Sequence, residues 1–194
     1  MAAVEAAQAH GPTRLETRLA GLALIRPVVH GDQRGFFQET WRHDLWRDLG
    51  ADSEFVQDNH SRSGRGVVRG MHFKLGEGQS KLVRCATGAI LDVVVDIRRG
   101  SPTFGEWESF ALTEENAHQL FVPVGFAHGF CVTSEVADVV YRCSSYHDPE
   151  LEGEFAYDDP EVGIEWPDLE LLPSGRDASA PRLSELAAGL PFTL

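Results

Sequence analysis

Cysteine is scarce in this chain. The 194 residues hold three, Cys85, Cys131 and Cys143, an odd number with no CxxC spacing, which argues against a disulfide framework. Each sits among apolar residues, in "KLVRCATG", "HGFCVTS" and "VVYRCSS", so buried reduced thiols in a cytosolic protein are expected. Positive charge is also short: 17 Lys and Arg against 30 Asp and Glu leave a net charge of −13. A general binder of nucleic acid or anionic membrane is thereby excluded, but not a small anionic ligand held by a local arginine cluster. No apolar run approaches the ~20 residues that span a bilayer. The start, "MAAVEAAQAHGPTRLETRLAGL", has neither the basic opening nor the apolar centre of a signal peptide, and residues 1–12 read as a frayed start. Neither GxxxxGK[ST] nor a helix-opening GxGxxG occurs, which removes the P-loop and Rossmann readings. "GEGQSK" lies between strand-like segments and suits a hairpin turn.

What is present points to one globular domain. Hydrophobic residues make up 42% and charged residues 24% of the chain, in the range of folded proteins, and the length fits a single domain. "GLALIRPVVHG" is a β-branched run broken by Pro27, "RGFFQETW" reads as extended, and "HDLWRDLG" spaces Leu45, Trp46 and Leu49 helically before Gly50. "EFVQDNHSRS" returns to extended chain. From residue 67 short strands follow closely: "VVRGMHF", "SKLVRCA", "AILDVVVDIRR", "GEWESFALT", "QLFVPVG", "GFCVTS" and "ADVVYRCSSY". Gly, Pro, Ser and Thr separate them, which suggests a barrel or sandwich rather than an alternating α/β sheet. No internal repeat is visible. After Pro149 the chain is turn-rich, with "SELAAGL" as a last short helix.

Strand alternation aims the side chains. Lys81, Val83 and Cys85 share one face, as do Val139, Tyr141 and Cys143, while Arg84 and Arg142 point the other way. If the apolar members line a barrel interior, Lys81 and Tyr141 point inward with them. Two readings stand: a functional pair in an apolar pocket, or a lysine snorkelling at a strand end beside a core tyrosine with its hydroxyl satisfied.

Three chemistries compete for these residues. A metal site in a β-barrel needs two or three converging imidazoles, often with a carboxylate. Of the eight histidines, His72 and His128 fall on strands, but Lys74 stands two residues beyond His72 and cannot ligate while protonated, so no metal is expected. Acid–base work fits better: a histidine on a strand can act as a base if an acidic partner orients it, a tyrosine can return a proton and a lysine can stabilise a developing oxyanion, which are the parts needed to abstract a proton α to a carbonyl, although spacing does not bring the three together. Anion binding is the third possibility, since Arg34, Arg62, Arg65, Arg69 and Arg84 flank the strands and arginine pairs with phosphate bidentately.

Seven segments in order, "GDQRGFFQETW", "FVQDNHSRS", "VVRGMHF", "KLVRC", "DVVVDIRRGSPTFGEW", "VPVGFAHGF" and "VGIEWP", closely resemble the dTDP-4-dehydrorhamnose 3,5-epimerases. The resemblance runs from about Gly21 to about Leu183. It implies a mainly β fold, a cupin jelly-roll β-barrel with a few short helices. It also implies a single domain over residues 1–194, with strands in 20–60 at a homodimer interface and 150–194 as an extension packed on the barrel. The implied reaction is epimerisation of dTDP-4-dehydro-6-deoxy-D-glucose at C3 and C5, without a cofactor, in a cytoplasmic enzyme.

Carried over by motif, the resemblance makes His72 the base, Asp177 in "GRDASAP" its carboxylate partner, Tyr141 the acid and Lys81 the stabiliser of the enolate. Substrate-binding positions fall on Arg34, Glu39, Gln57, Asp58, Asn59, Arg69, His128, Glu152 and Arg176. Simple alternation sets Arg69 opposite His72, so a bulge or twist near Gly70 is required if both touch substrate. His147 stands where many family members have a second tyrosine. Related enzymes that epimerise only C3 share the His–Tyr pair and form the rival within the chemistry. A metal-dependent or non-catalytic sugar-binding cupin is the rival from another class.

Overall fold

The computed structural model describes residues 11–194; the expected frayed start lies outside them up to residue 10. The elements run β1 (Thr13–Leu15), β2 (Ala23–Arg26), β3 (Val29–Asp32), β4 (Gly35–Gln38), α1 (His43–Asp48), β5 (Gln57–Gly64), β6 (Val68–Lys74), β7 (Lys81–Thr87), β8 (Ala89–Asp96), β9 (Trp107–Thr113), β10 (Gln119–Val122), β11 (Phe126–Val132), β12 (Val136–Cys143), β13 (Glu152–Glu154) and α2 (Leu183–Leu186). Short 3-10 turns cover Asp177–Ser179 and Ala187–Gly189. Pro27 separates β2 from β3, as its missing N–H requires, and the helical spacing at 43–49 yields α1. The turn-rich tail contributes one strand, β13, that its composition did not announce.

Two antiparallel sheets form the jelly roll. One has the order β1-β2-β10-β7-β12-β5 and the other β13-β6-β11-β8-β9. Alternation sorts the apolar side chains into three layers. The barrel interior joins Val83, Cys85, Leu120, Val122 and Val139 of the first sheet to Ile90, Val94, Leu112, Phe126 and Phe130 of the second. Outside the first sheet, Ile25, Leu82 and Phe121 pack on Trp46 of α1. Outside the second, Met71, Phe73, Val93 and Val95 are covered by Phe155, Leu183, Leu190 and Phe192 of the C-terminal segment. Burying both outer faces as well as the interior is how so many short strands reach a stable core.

Hairpin β3–β4 is a separate two-stranded sheet. Its rings are bare: Phe36 is 68% and Phe37 71% exposed. A two-stranded ribbon is marginal in water by itself, so this hairpin has an unfilled packing requirement.

Candidate active site

His72 sits on β6, facing the barrel interior and one-third exposed at its side chain. Its Nε2 lies 2.7 Å from an Asp177 carboxylate oxygen. Asp177 is 3% exposed and comes from the 3-10 turn of the C-terminal segment, 105 residues away in sequence. Because an ionised carboxylate only accepts, Nε2 carries the proton in the neutral ring, and the lone pair is on the other nitrogen. Burial pushes the His72 pKa below its ordinary value, and Asp177 pulls part of the way back.

Lys81 and Tyr141 enter from the opposite sheet. Tyr141 pairs in register with Val83, and Cys143 with Lys81, so the ammonium and the phenol are neighbours on the inner face, with the buried Cys143 opposite Lys81 on the strand of Tyr141. The field of Lys81 reaches His72 across the interior. Burial lowers the Lys81 pKa and raises that of Tyr141. A phenol so placed holds its proton at neutral pH and remains a donor.

The bulge required at Gly70 is present. The pairing of β11 with β6 shifts register between His128↔His72 and Phe130↔Arg69. It needs two glycines: a Cβ on Gly70 would stand 2.6 Å from the Gly129 Cα, and one on Gly129 would meet the Arg69 carbonyl at 2.8 Å. The shift turns Arg69 toward the inner face, where its guanidinium donates to Ser63 Oγ at 3.1 and 3.2 Å and its charge is felt by Tyr141.

The remaining candidates divide. His128 lies beside His72 in register, is 7% exposed, and its Nε2 is 2.9 Å from Asp92. Glu152 shares the inner face through its pairing with Lys74, and the side chain of His147 is 3.2 Å from it. Gln57 donates to Asn59 at 3.1 Å and also accepts the His147 backbone N–H at 2.8 Å, while Asn59 reaches Cys143 Sγ at 3.6 Å. Arg176 ion-pairs with Glu154, the β13 residue opposite His72. Three residues are not brought to this site. Alternation along β5 turns Asp58 to the outer face, near Arg142 at 3.9 Å. Arg34 stays on the exposed hairpin, paired with Asp32, and Glu39 is exposed beside Arg42.

Spacing along the chain missed Asp92, Ser63, Cys143 and Glu154. Alternation offered a signal for Cys143, on the face of Tyr141; Asp92 and Glu154 become neighbours of the site through pairing of strands distant in sequence, and Ser63 through the facing of the two sheets. His72, Glu154 and Asp177 bring ligand-type atoms within 4.8 Å of one another, a convergence of carboxylates on one imidazole that spacing along the chain did not announce. These donors are already committed, Asp177 to His72 and Glu154 to Arg176.

A jelly-roll barrel with a carboxylate-held imidazole on one wall and a lysine and tyrosine on the other defines a class: an acid–base barrel enzyme. Residues 16–185 match the sequence pattern of the dTDP-4-dehydrorhamnose 3,5-epimerases. The Salmonella typhimurium enzyme of that name is 46% identical over 88% of this chain and 95% of its own length. The Neisseria gonorrhoeae one is 48% identical over 79% of this chain, which spans 47% of that longer relative. A crystal structure of the Legionella pneumophila dTDP-6-deoxy-D-glucose-3,5-epimerase in complex with dTDP-4-keto-L-rhamnose superimposes with a TM-score of 0.91, at 42% identity, covering 94% of this chain and 99% of the other. The chain belongs to the dTDP-4-dehydrorhamnose 3,5-epimerase family.

Proposed function

We propose that His72 is the base with which this epimerase inverts C3 and C5 of dTDP-4-dehydro-6-deoxy-D-glucose. The observation that carries the reading is the His72–Asp177 contact of 2.7 Å, set across the barrel interior from Lys81 and Tyr141. The C4 ketone acidifies the C–H bonds on either side. The free nitrogen of His72 takes a proton, the C–H electron pair moves into the enolate, and negative charge gathers on O4. Lys81 stabilises that oxygen, as an ammonium in a dry site does best. Tyr141 then gives a proton to the opposite face of the carbon, which inverts it. Asp177 holds the imidazole in one tautomer and stabilises its cation. The same set of groups serves both carbons, and no electron is transferred.

Substrate contacts are assigned to Gln57, Asn59, Arg69, His128, Glu152 and Arg176, which border these four groups. Arg34 and Glu39 do so from a second copy: the bare Phe36 and Phe37 give the hairpin an apolar surface that a homodimer would cover. A chain that remained monomeric at micromolar concentration in a solution-mass measurement would contradict this. Three buried thiols accord with a reducing cytoplasm.

Proton NMR of the sugar product tests the reaction. Inverted configurations at C3 and C5 are expected. Inversion at C3 alone would move the chain to the single-epimerising relatives, and an unchanged sugar would overturn the proposal.

A further inference from the structure

Outside the six-stranded sheet, beside α1, a cavity of about 90 Å³ is lined by Arg84, Gln119, Arg142, Asp58, Thr40 and Val140, and also by Tyr141, whose ring packs toward the barrel interior. Its polar groups are unequally satisfied. Gln119 is 0% exposed. The Trp46 indole N–H donates to its Oε1 at 3.1 Å; an indole can only donate, so the amide orientation is fixed and Nε2 is the other end. That Nε2 is buried and has no partner among the described residues, an arrangement that costs about 1–3 kcal/mol unless an acceptor is supplied. In the sheet register Gln119 stands directly opposite Arg84. The Arg84 guanidinium is half-buried and makes no hydrogen bond or ion pair with the described residues, and burial lowers its pKa. Arg142 adds a second guanidinium, over the Trp41 ring at 5.6 Å and only loosely held by Asp58 at 3.9 Å.

We infer that this cavity is a binding site for a small oxyanion, a phosphate or a carboxylate, held between Arg84, Arg142 and the Gln119 amide. A cavity of about 90 Å³ has room for such an anion. Two forked cations and one N–H donor against a single carboxylate, in a chain of net charge −13, form a local inversion of sign. The fork geometry matches two oxygens of one anion. Because Arg84 and Arg142 follow Val83 and Tyr141 along β7 and β12, an occupant would brace from behind the strands that carry Lys81 and Tyr141.

The test is calorimetric titration of inorganic phosphate into the whole chain with dTDP saturating the substrate cleft, at constant ionic strength against a chloride control. One phosphate per chain is expected. Arg84→Met, which keeps the apolar stem beside Leu82 and Val140, weakens binding at least about 10-fold. Arg84→Lys, which keeps the charge but loses the fork, falls between. Asp58→Asn, which removes the one carboxylate among the described lining residues, tightens binding severalfold. Circular dichroism establishes that each variant is folded, and Arg142→Met serves if Arg84→Met is not. No binding above the chloride control, or unchanged affinity in the folded arginine variants, would overturn the inference. So would a variant whose only change is a lower solution mass, since the guanidinium would then serve a carboxylate of a second copy. If dTDP itself failed to bind, the functional assignment would fall, and the phosphate titration would still report on this cavity.

Discussion

At the scale of single residues, His72 is tuned by two opposed effects. Burial disfavours its cation, and Asp177 favours it, with burial the larger. A depressed pKa keeps the ring neutral, and therefore basic, throughout the neutral range. The rate is expected to be flat from the ordinary histidine value of about 6.5 through the neutral range, until Lys81, whose pKa burial lowers, loses its proton on the alkaline side. It falls as pH drops through the lower value of the folded enzyme, because protonation consumes the base. Asp177→Asn removes the partner that raises the pKa, so the acid limb of kcat/KM moves to still lower pH while the plateau falls. A pH–rate profile of the two proteins measures both effects. A limb that stayed in place in the variant would mean that Asp177 does not face the base.

At the scale of elements, the bulge between β6 and β11 sets the site. It lets Arg69 and His72 serve one cavity although they lie three residues apart on a strand. Gly129→Ala puts a methyl group 2.7 Å from Met71 Sδ and 2.8 Å from the Arg69 carbonyl. A backbone oxygen cannot step aside as a side chain can, so the variant is expected to lose about 1–3 kcal/mol. Its kcat is expected to fall more than its affinity for dTDP, since the shift displaces His72. Thermal melts and steady-state kinetics check this; an unperturbed enzyme would show that the register shift is not needed. "VVRGMHF" announced a strand, and the conflict between Arg69 and His72 announced an irregularity. The second glycine is on another strand, so its part was not legible from the segment. The facing of Lys81 and Tyr141 was legible, because a period of two is preserved along β7 and β12. Alternation also turned Asp58 away from the cleft, a consequence that the motif match alone did not carry.

At the scale of the whole molecule, packing of the C-terminal segment against the five-stranded sheet makes neighbours of residues up to 105 positions apart, as in the His72–Asp177 pair. Long-range pairings leave no mark in local periodicity, which is why Asp92 and Glu154 escaped the sequence reading while the family motifs located Asp177; Ser63 is only six residues from Arg69, but the two lie on strands of different sheets. The unpaired hairpin with its two bare phenylalanines extends the argument beyond one chain. In the proposed homodimer a second copy supplies Arg34 and Glu39 to the site, and a single sequence shows which residues are apolar without showing what covers them. The acid–base assignment itself rests on one enclosed set of groups acting at two carbons. Incubation of the substrate in D₂O, with deuterium read at C3 and C5 for the wild-type enzyme and for His72→Ala, tests it most directly. The account predicts deuterium at both carbons for the wild type and a loss of about 100- to 10,000-fold at both in the variant; near-normal incorporation at either carbon without the imidazole would contradict it.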